Sequence, residues 1–292
     1  MAVSATITKF CHGIWQLESQ ILFVESYDDG IYVITEETPF HPVSHIWPDH
    51  PADKGCLRIG SQRFSVFNCL VGAIERETET LYVGEAIPVK RDEPGWSFVV
   101  VHCINADASA VIEGERVCLS VDRTYQEALS RGHSAGHLAF LALNKVLTRD
   151  GYWRKDADRK DAHGNYDFNS YAQVTSFVTE DCCVDTYRLG KTLRKRGLNS
   201  VDMLTDLQLI VDKVNDQLTE WLAAQPQVEI LCHGETLTDS RYWQCDLGEG
   251  ELAVIPCGGT HVSGLADFAE IKVSLTELDA QNIEMQTDVK PS

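Results

Sequence analysis

The hydrophobic pattern of this 292-residue chain changes period once, near residue 122, and that change limits the folds open to it. Before it the apolar or alternating runs are short: I-L-F-V-E-S (21–26), I-Y-V-I-T (31–35), F-S-V-F-N-C-L-V-G (64–72), W-S-F-V-V-V-H-C (96–103) and V-C-L-S-V (117–121). Successive side chains of a strand point to opposite faces, so runs of this kind read as strands. Turn chemistry separates them at Asp29-Gly30, Pro94-Gly95 and Glu113-Gly114. Residues 1–121 are expected to form a small antiparallel β-barrel-like domain.

From Asp122 the apolar positions recur with a helical period. The stretch 122–147 predicts a long helix with Asp122 as N-cap and with Leu129, His133, Leu138, Leu141 and Leu147 toward one side. Gly132 and Gly136 oppose it, since an interior glycine costs a helix about 1 kcal/mol relative to alanine. A second long helix is predicted over about Ser200 to Ala224, where Leu204, Leu207, Ile210, Val211, Val214, Leu218 and Trp221 keep the period. Strands return at 228–233, 252–256 and 269–275. The expected fold class is α+β: the barrel-like domain, an α+β domain over 122–280, and a loose tail over 281–292. The chain carries no internal repeat and no low-complexity tract.

Composition narrows the function. With 43% hydrophobic and 24% charged residues the chain reads as an ordinary globular protein, long enough for two domains. The start, M-A-V-S-A-T-I-T-K-F, lacks the basic and apolar segments of a secretion signal, and no run approaches the ~18 apolar residues of a membrane span. The expectation is a soluble cytoplasmic protein. Its ten cysteines then read as reduced thiols, most of them core residues with one or two recruited for metal. A net charge of -19 argues against a generally sticky nucleic-acid binder, because phosphates are held mainly by Lys and Arg. Any RNA contact must be local, and Arg188, Lys191, Arg194, Lys195 and Arg196 supply one candidate, with no acidic residue among them. The alternative for that run is a solvated helix face or loop.

Two motifs carry metal chemistry. In I-P-C-G-G-T-H-V (255–262), Cys257 and His261 share one side of an extended segment, and Gly258 and Gly259 permit a turn that brings both to one point. His133 and His137, four apart, are neighbours on one helical face. Each pair alone has an ordinary structural explanation. Together they make four ligands of the softness zinc prefers.

The segment His133-Ser134-Ala135-Gly136-His137-Leu138, followed by Pro256-Cys257-Gly258-Gly259-Thr260-His261-Val262, resembles the editing domain of alanyl-tRNA synthetases and their free-standing relatives, the alanyl-tRNA editing proteins. The similar editing domain of threonyl-tRNA synthetase belongs to the same group. Gly164-Asn165-Tyr166-Asp167-Phe168 sits where the family has a similar Asp-Phe strand, and Val214-Asn215 lies in a comparable helix, so the resemblance covers roughly 122–275. It implies zinc at His133, His137, Cys257 and His261, hydrolysis of mischarged tRNA, chiefly seryl-tRNA for alanine, and an α+β domain preceded by a small barrel. The N-terminal half departs from the family. Relatives carry Phe-Tyr-Pro and then Gly-Gly-Gly-Gln-Pro-x-Asp-x-Gly; here Phe40-His41-Pro42 and Pro51-Ala52-Asp53-Lys54-Gly55 remain, three residues are added, and the glycines and Gln are gone. Trp47, His50 and Asp53 accordingly mark a candidate specificity loop. Trp47 either narrows the approach to the zinc or packs away from it as a core anchor.

Zinc polarises an ester carbonyl or lowers the pKa of water toward ~7. Four protein ligands fill a tetrahedron, so catalysis requires a departing ligand, a fifth position, or zinc that places the substrate's amino group. No Glu follows His133 as a general base. Water held by Thr260, a backbone amide of the Gly258-Gly259 turn, or the RNA's own hydroxyl are the candidates. Three functions compete: a hydrolase of mischarged aminoacyl-tRNA, expected to act on released product because these 292 residues read as lacking a synthetase-sized adenylation domain; a binding module with a closed zinc; and a hydrolase of another small ester or amide.

Overall fold

The computed structural model describes residues 3–27 and 30–292; Met1 and Ala2 of the N-terminal segment and Asp29 of the expected Asp29-Gly30 turn lie outside the described residues. The chain divides into two compact units. One comprises Met1–Glu127, Cys232–Arg241 and Gly258–Thr260; the other Ala128–Leu231, Tyr242–Cys257 and His261–Ser292.

In the first unit, two short strands, β1 (Ile7–Thr8) and β4 (Glu37–Thr38), pair in parallel. The main sheet contains β2 (Gln16–Tyr27), β3 (Gly30–Thr35), β5 (Gly55–Ile59), β6 (Gln62–Glu75), β7 (Thr80–Val83), β8 (Trp96–Ile104) and β9 (Arg116–Val121). It runs in the order β5-β9-β2-β3-β8-β6-β7, and β5 also pairs with β6. All of these pairings are antiparallel, and the last one closes six strands on themselves, with β7 as an appendage on β6. The five strand runs expected from the alternation all lie within this sheet. Its interior is filled by Ile21, Val33, Leu57, Val66, Val100, Ile104 and Leu119. Closure removes most of the unpaired edge that an open sheet would expose.

The second unit contains most of α1 (Arg123–Arg149), followed by α2 (Phe168–Ala172), β10 (Gln173–Thr179), β11 (Cys182–Arg188), α3 (Lys191–Arg196), α4 (Ser200–Thr205), α5 (Leu207–Ala224), β12 (Val228–Cys232) without its last residue, β13 (Arg241–Cys245) without its first, β14 (Ala253–Pro256), β15 (Phe268–Asp279) and β16 (Asn282–Pro291). Four strands form a sheet in the order β10-β11-β16-β15, and β12-β13-β14 form a second. One core joins these sheets to α1 and α5 through Leu138, Leu141, Val214, Trp221, Trp243 and Met285.

Helix α1 begins where expected: Asp122 Oδ1 accepts the amide of Tyr125, as an N-cap does. The five residues expected on one face, Leu129, His133, Leu138, Leu141 and Leu147, are all buried. Gly132 and Gly136 are explained by close packing. A Cβ on Gly132 would stand 2.5 Å from the Cys182 carbonyl oxygen and 2.6 Å from that of Thr179; one on Gly136 would stand 2.8 Å from Cys183 Sγ. The two glycines form the strip along which α1 rests on the β10–β11 hairpin.

Three expectations are corrected. The helix predicted over 200–224 is two helices, α4 and α5, broken at Asp206, whose carboxylate accepts the Tyr152 hydroxyl at 3.0 Å. The Asp-Phe segment is not a strand: Asp167 caps the short helix α2 by accepting the Ser170 amide. The segment 281–292 is not a loose tail. Asn282–Pro291 is an interior strand, antiparallel to β11 on one side and β15 on the other, with Ile283, Met285 and Thr287 buried.

Candidate metal centre

The four expected ligands converge within the second unit. All their donor atoms lie within 4.8 Å of one another. Cys257 Sγ is 3.3 Å from His133 Nε2 and 3.3 Å from His261 Nε2. A tetrahedral zinc with bonds of about 2.3 Å to sulfur and about 2.0 Å to nitrogen separates those atoms by about 3.5 Å. The rings crowd together to match, with centroids 4.2 Å apart for His133 and His261, 4.8 Å for His133 and His137, and 5.0 Å for His137 and His261. His137 is half-buried as a residue, but its Nε2 is sealed from solvent with no hydrogen-bond partner. Burial lowers the pKa of His137 to about 3, so it presents a neutral imidazole nitrogen, the form that ligates a metal. An unsatisfied buried nitrogen beside a thiol and two imidazoles is the donor set a zinc-type ion fits.

The supporting residues were not singled out from the sequence. Ser134, fully buried one position after His133, has its Oγ 3.0 Å from His261 Nδ1 and also accepts the Val262 amide at 3.2 Å. With Nδ1–H donated to Ser134, Nε2 of His261 is left to face Cys257, as outer contacts of metal-bound imidazoles commonly arrange. Trp243, fully buried on β13, packs edge-on against His137 with centroids 5.6 Å apart. The small hydroxyl between the two helix histidines and the alternation of R-Y-W-Q-C were the available signals.

The remaining expected residues divide between the two units. Gly258 is exposed, and neither Gly258 nor Gly259 adopts a positive φ, so the bend between the ligands does not use left-handed backbone. Thr260 is buried in the first unit, where its hydroxyl lies 3.2 Å from His50 Nε2. His50 Nδ1 is 2.8 Å from the Pro51 carbonyl, which fixes the proton on Nδ1 and makes Nε2 the acceptor of the Thr260 hydroxyl. Burial lowers the His50 pKa to about 4. Asp53 is fully buried at the neck of the loop, where its Oδ2 accepts the His41 amide at 2.7 Å and Gln126 Nε2 at 2.6 Å. Burial outweighs both donors and raises its pKa to about 7. Trp47 is 45% exposed beside Ile46 at 71%, so it is no core anchor. Arg188, Lys191, Arg194, Lys195 and Arg196 are all exposed, around a short helix held by the buried Leu193. Arg196 pairs with Asp158 at 3.5 Å.

The first unit is thus a closed antiparallel sheet, and the second is an α+β unit in which three imidazoles and a thiol are placed so that they could hold one metal ion. No family model matches the chain. Its sequence is similar to alanine-tRNA ligases: 23% identical over 284 residues to that of Akkermansia muciniphila, which is 91% of this chain and 24% of the ligase. It is 25% identical over 174 residues to that of Mycobacterium bovis (59% and 17%) and 22% over 215 residues to that of Methanosarcina acetivorans (70% and 20%). The chain therefore spans about a quarter or less of the length of these curated relatives. It is related in sequence to a segment of the alanine-tRNA ligases, as its paired motifs imply. Among the described residues no helix is long and apolar enough to cross a membrane.

Proposed function

We propose that this chain is an aminoacyl-tRNA deacylase that hydrolyses the ester of mischarged tRNA, seryl-tRNA for alanine foremost, with zinc held by His133, His137, Cys257 and His261. The observation that carries this reading is the convergence of those four donor atoms in a chain similar to alanine-tRNA ligases. When bound, zinc supplies a Lewis acid that polarises an ester carbonyl or acidifies water. The chain's own residues orient the substrate. Ser134 fixes the His261 ring, and His50 holds the Thr260 hydroxyl hydrogen, which directs the oxygen's lone pairs away from His50. Thr260, with the backbone of Gly258 and Gly259, is assigned to positioning water or the carbonyl oxygen. Trp47, at the exposed end of a loop whose neck is built by His50 and Asp53, is assigned to aminoacyl selectivity. The exposed Arg188, Lys191, Arg194, Lys195 and Arg196 are assigned to the tRNA backbone, a local positive strip on an acidic protein.

One observation favours a second reading, an aminoacyl-end binding module without turnover: four protein donors complete a tetrahedron, the arrangement of a structural zinc. Deacylation of a panel of mischarged tRNAs by metal-loaded protein decides between them. The proposed reading expects turnover that disappears on chelation and in Cys257→Ala. Tight binding of the same tRNAs with no ester loss refutes it and supports the module. Reversing Arg194, Lys195 and Arg196 to Glu is expected to weaken tRNA binding and flatten its salt dependence at unchanged metal content. Trp47→Ala is expected to change the ratio of rates between two aminoacyl groups by about tenfold, roughly 1.4 kcal/mol of discrimination.

A further inference from the structure

The metal centre uses one of the ten cysteines, and two of the others meet in the first unit. Cys11 lies in the single helical turn Phe10–His12, and Cys232 ends β12. Both are partly exposed, and their thiols are hydrogen-bonded to each other. Cys232 is also hydrogen-bonded to Arg241, a buried residue. The oxygens to which that guanidinium donates are neutral: Nη1 donates to the carbonyls of Leu237 (3.2 Å) and Asp239 (3.3 Å), Nη2 to Thr8 Oγ1 (2.6 Å) and the Thr236 carbonyl (2.8 Å), while the Asp239 carboxylate interacts with it electrostatically. Among the described residues no carboxylate forms an ion pair with it. A buried cation whose hydrogen-bonded oxygens are uncharged favours anions near it, and the Asp239 carboxylate and the Cys232 sulfur are both stabilised by Arg241. Cys232 Sγ is the ionisable atom in hydrogen-bond contact.

We infer that Cys232 and Cys11 form a peroxide-reactive dithiol, in which Cys232 is the attacking sulfur and Cys11 the resolving one. The hydrogen bond from Cys11, then Arg241 and His12, bring the Cys232 thiol down to about 6 against the opposing effect of burial. A thiolate held in this way is the nucleophilic form near neutral pH. The substrate class is a hydroperoxide. The Cys232 thiolate attacks the terminal peroxide oxygen; the O–O bond breaks, the sulfur loses two electrons to become a sulfenic acid, and the departing alkoxide or hydroxide takes a proton. The Cys11 sulfur then attacks the sulfenic sulfur: the S–S bond forms, the S–O bond breaks, and water leaves with the Cys11 proton. In sum two thiols and one hydroperoxide give one disulfide, one alcohol or water, and one water. This inference stands apart from the deacylase reading, since no metal ligand takes part.

The test is to treat the full-length, zinc-loaded protein with one equivalent of hydrogen peroxide, quench with an alkylating reagent, and map all ten cysteines by mass spectrometry. The expected product is a linked peptide pair containing Cys11 and Cys232, reversed by dithiothreitol, formed before any other cysteine is lost. Cys11→Ser is expected to stop at a Cys232 sulfenic acid trapped by dimedone, whereas Cys232→Ser should leave Cys11 unmodified. In untreated protein, iodoacetamide should modify Cys232 with a half-maximal rate near pH 6 and at least tenfold faster at pH 7 than any other cysteine outside the metal site. Oxidation that begins at Cys257 or at another pair, or alkylation of Cys232 with the pH dependence of an ordinary thiol near 8.5, overturns the inference.

Discussion

Replacing Gly132 with alanine tests whether the metal centre depends on how closely α1 rests on the β10–β11 hairpin. Two effects oppose each other. Alanine is favoured over glycine inside a helix by about 1 kcal/mol, so on propensity alone the variant is stabilised. The new methyl, however, meets backbone: 2.5 Å from the Cys182 oxygen, 2.6 Å from the Thr179 oxygen and 2.9 Å from the Cys182 nitrogen. Relief to an ordinary 3.4 Å contact from 2.5 Å needs a displacement of about 0.9 Å. The hairpin turn cannot swing away without cost. The Asp181 amide donates to the Ala128 carbonyl at 3.0 Å, and Arg131 holds the Asp181 carboxylate through two nitrogens at 2.5 and 3.2 Å. Overpacking of this kind costs about 1–3 kcal/mol, so Gly132→Ala is expected to be destabilising by up to about 2 kcal/mol after the propensity gain of about 1 kcal/mol is subtracted.

The functional consequence is expected at the candidate metal centre. His133 is the next residue, and ligand distances tolerate only about 0.2 Å. Gly132→Ala should therefore weaken zinc binding at least tenfold in competition with a chelating dye, alongside its lower urea midpoint. Gly136→Ala is the internal control. Its Cβ meets only the Cys183 side chain, at 2.8 and 3.2 Å, so Gly136→Ala combined with Cys183→Ala should recover most of the stability lost by Gly136→Ala alone. A Gly132→Ala protein that gains about 1 kcal/mol and binds zinc unchanged would refute the idea that close approach of α1 sets the ligand geometry.

Other consequences follow from single contacts. Ser134→Ala removes the oxygen facing His261 Nδ1 and should lower zinc affinity by about 10–100-fold with little change in stability of the chelator-treated protein. Ile283→Ala empties a fully buried position on the interior strand β16 and should cost about 2–5 kcal/mol by urea denaturation; a cost below about 0.5 kcal/mol would place that strand outside the core. For chelator-treated protein, stability should fall as pH drops from 6.5 toward 4. Burial holds His50 and His102 near 4 and His137 near 3, so the unfolded chain takes up those protons first. Asp53 acts in the opposite sense: raised to about 7, it contributes stability that is complete below its unfolded value near 3.9 and is lost as pH rises through 7. Asp53→Asn should therefore raise the urea midpoint at pH 8 and steepen the loss on acidification; an identical pH profile for both proteins would contradict a buried, proton-holding Asp53.

What the sequence disclosed and what it hid differ in the range of the interactions responsible. The strand runs of the first unit and the helix at 123–149 are written in local period, and the two ligand pairs in local spacing, so both were legible. The break at Asp206 was not, because Leu204 and Leu207 carry the apolar period straight through it. Asp206 is engaged by Tyr152, a residue 54 positions away that no local pattern connects to it. Strand β16 has a clear alternation, Ile283, Met285 and Thr287 inward against Glu284, Gln286 and Asp288, but its polar half resembles a solvated tail until β11 is known to cover one edge.

The same division runs through the site. His133 with His137, and Cys257 with His261, each look like an unremarkable pair, and what makes them one centre is the set of residues between and behind them. Ser134 binds the second motif to the first through His261 and the Val262 amide, and Trp243 arrives from a third segment to close over His137. Neither bears a charge or a metal-ligand signature, so sequence reasoning had no chemical cause to select them. The lost glycines at 43–50 offered the opposite lesson. Their replacement was visible, yet its consequence depends on His50, whose Nε2 reaches Thr260 across 210 residues and joins the altered loop to the residue just before a candidate metal ligand. Because Thr260 immediately precedes His261, any substitution in that loop that displaces His50 acts on the backbone from which the ligand is presented. Selectivity and metal geometry are therefore expected to change together when His50 is replaced, whereas Trp47, exposed at the end of the loop, should change selectivity alone.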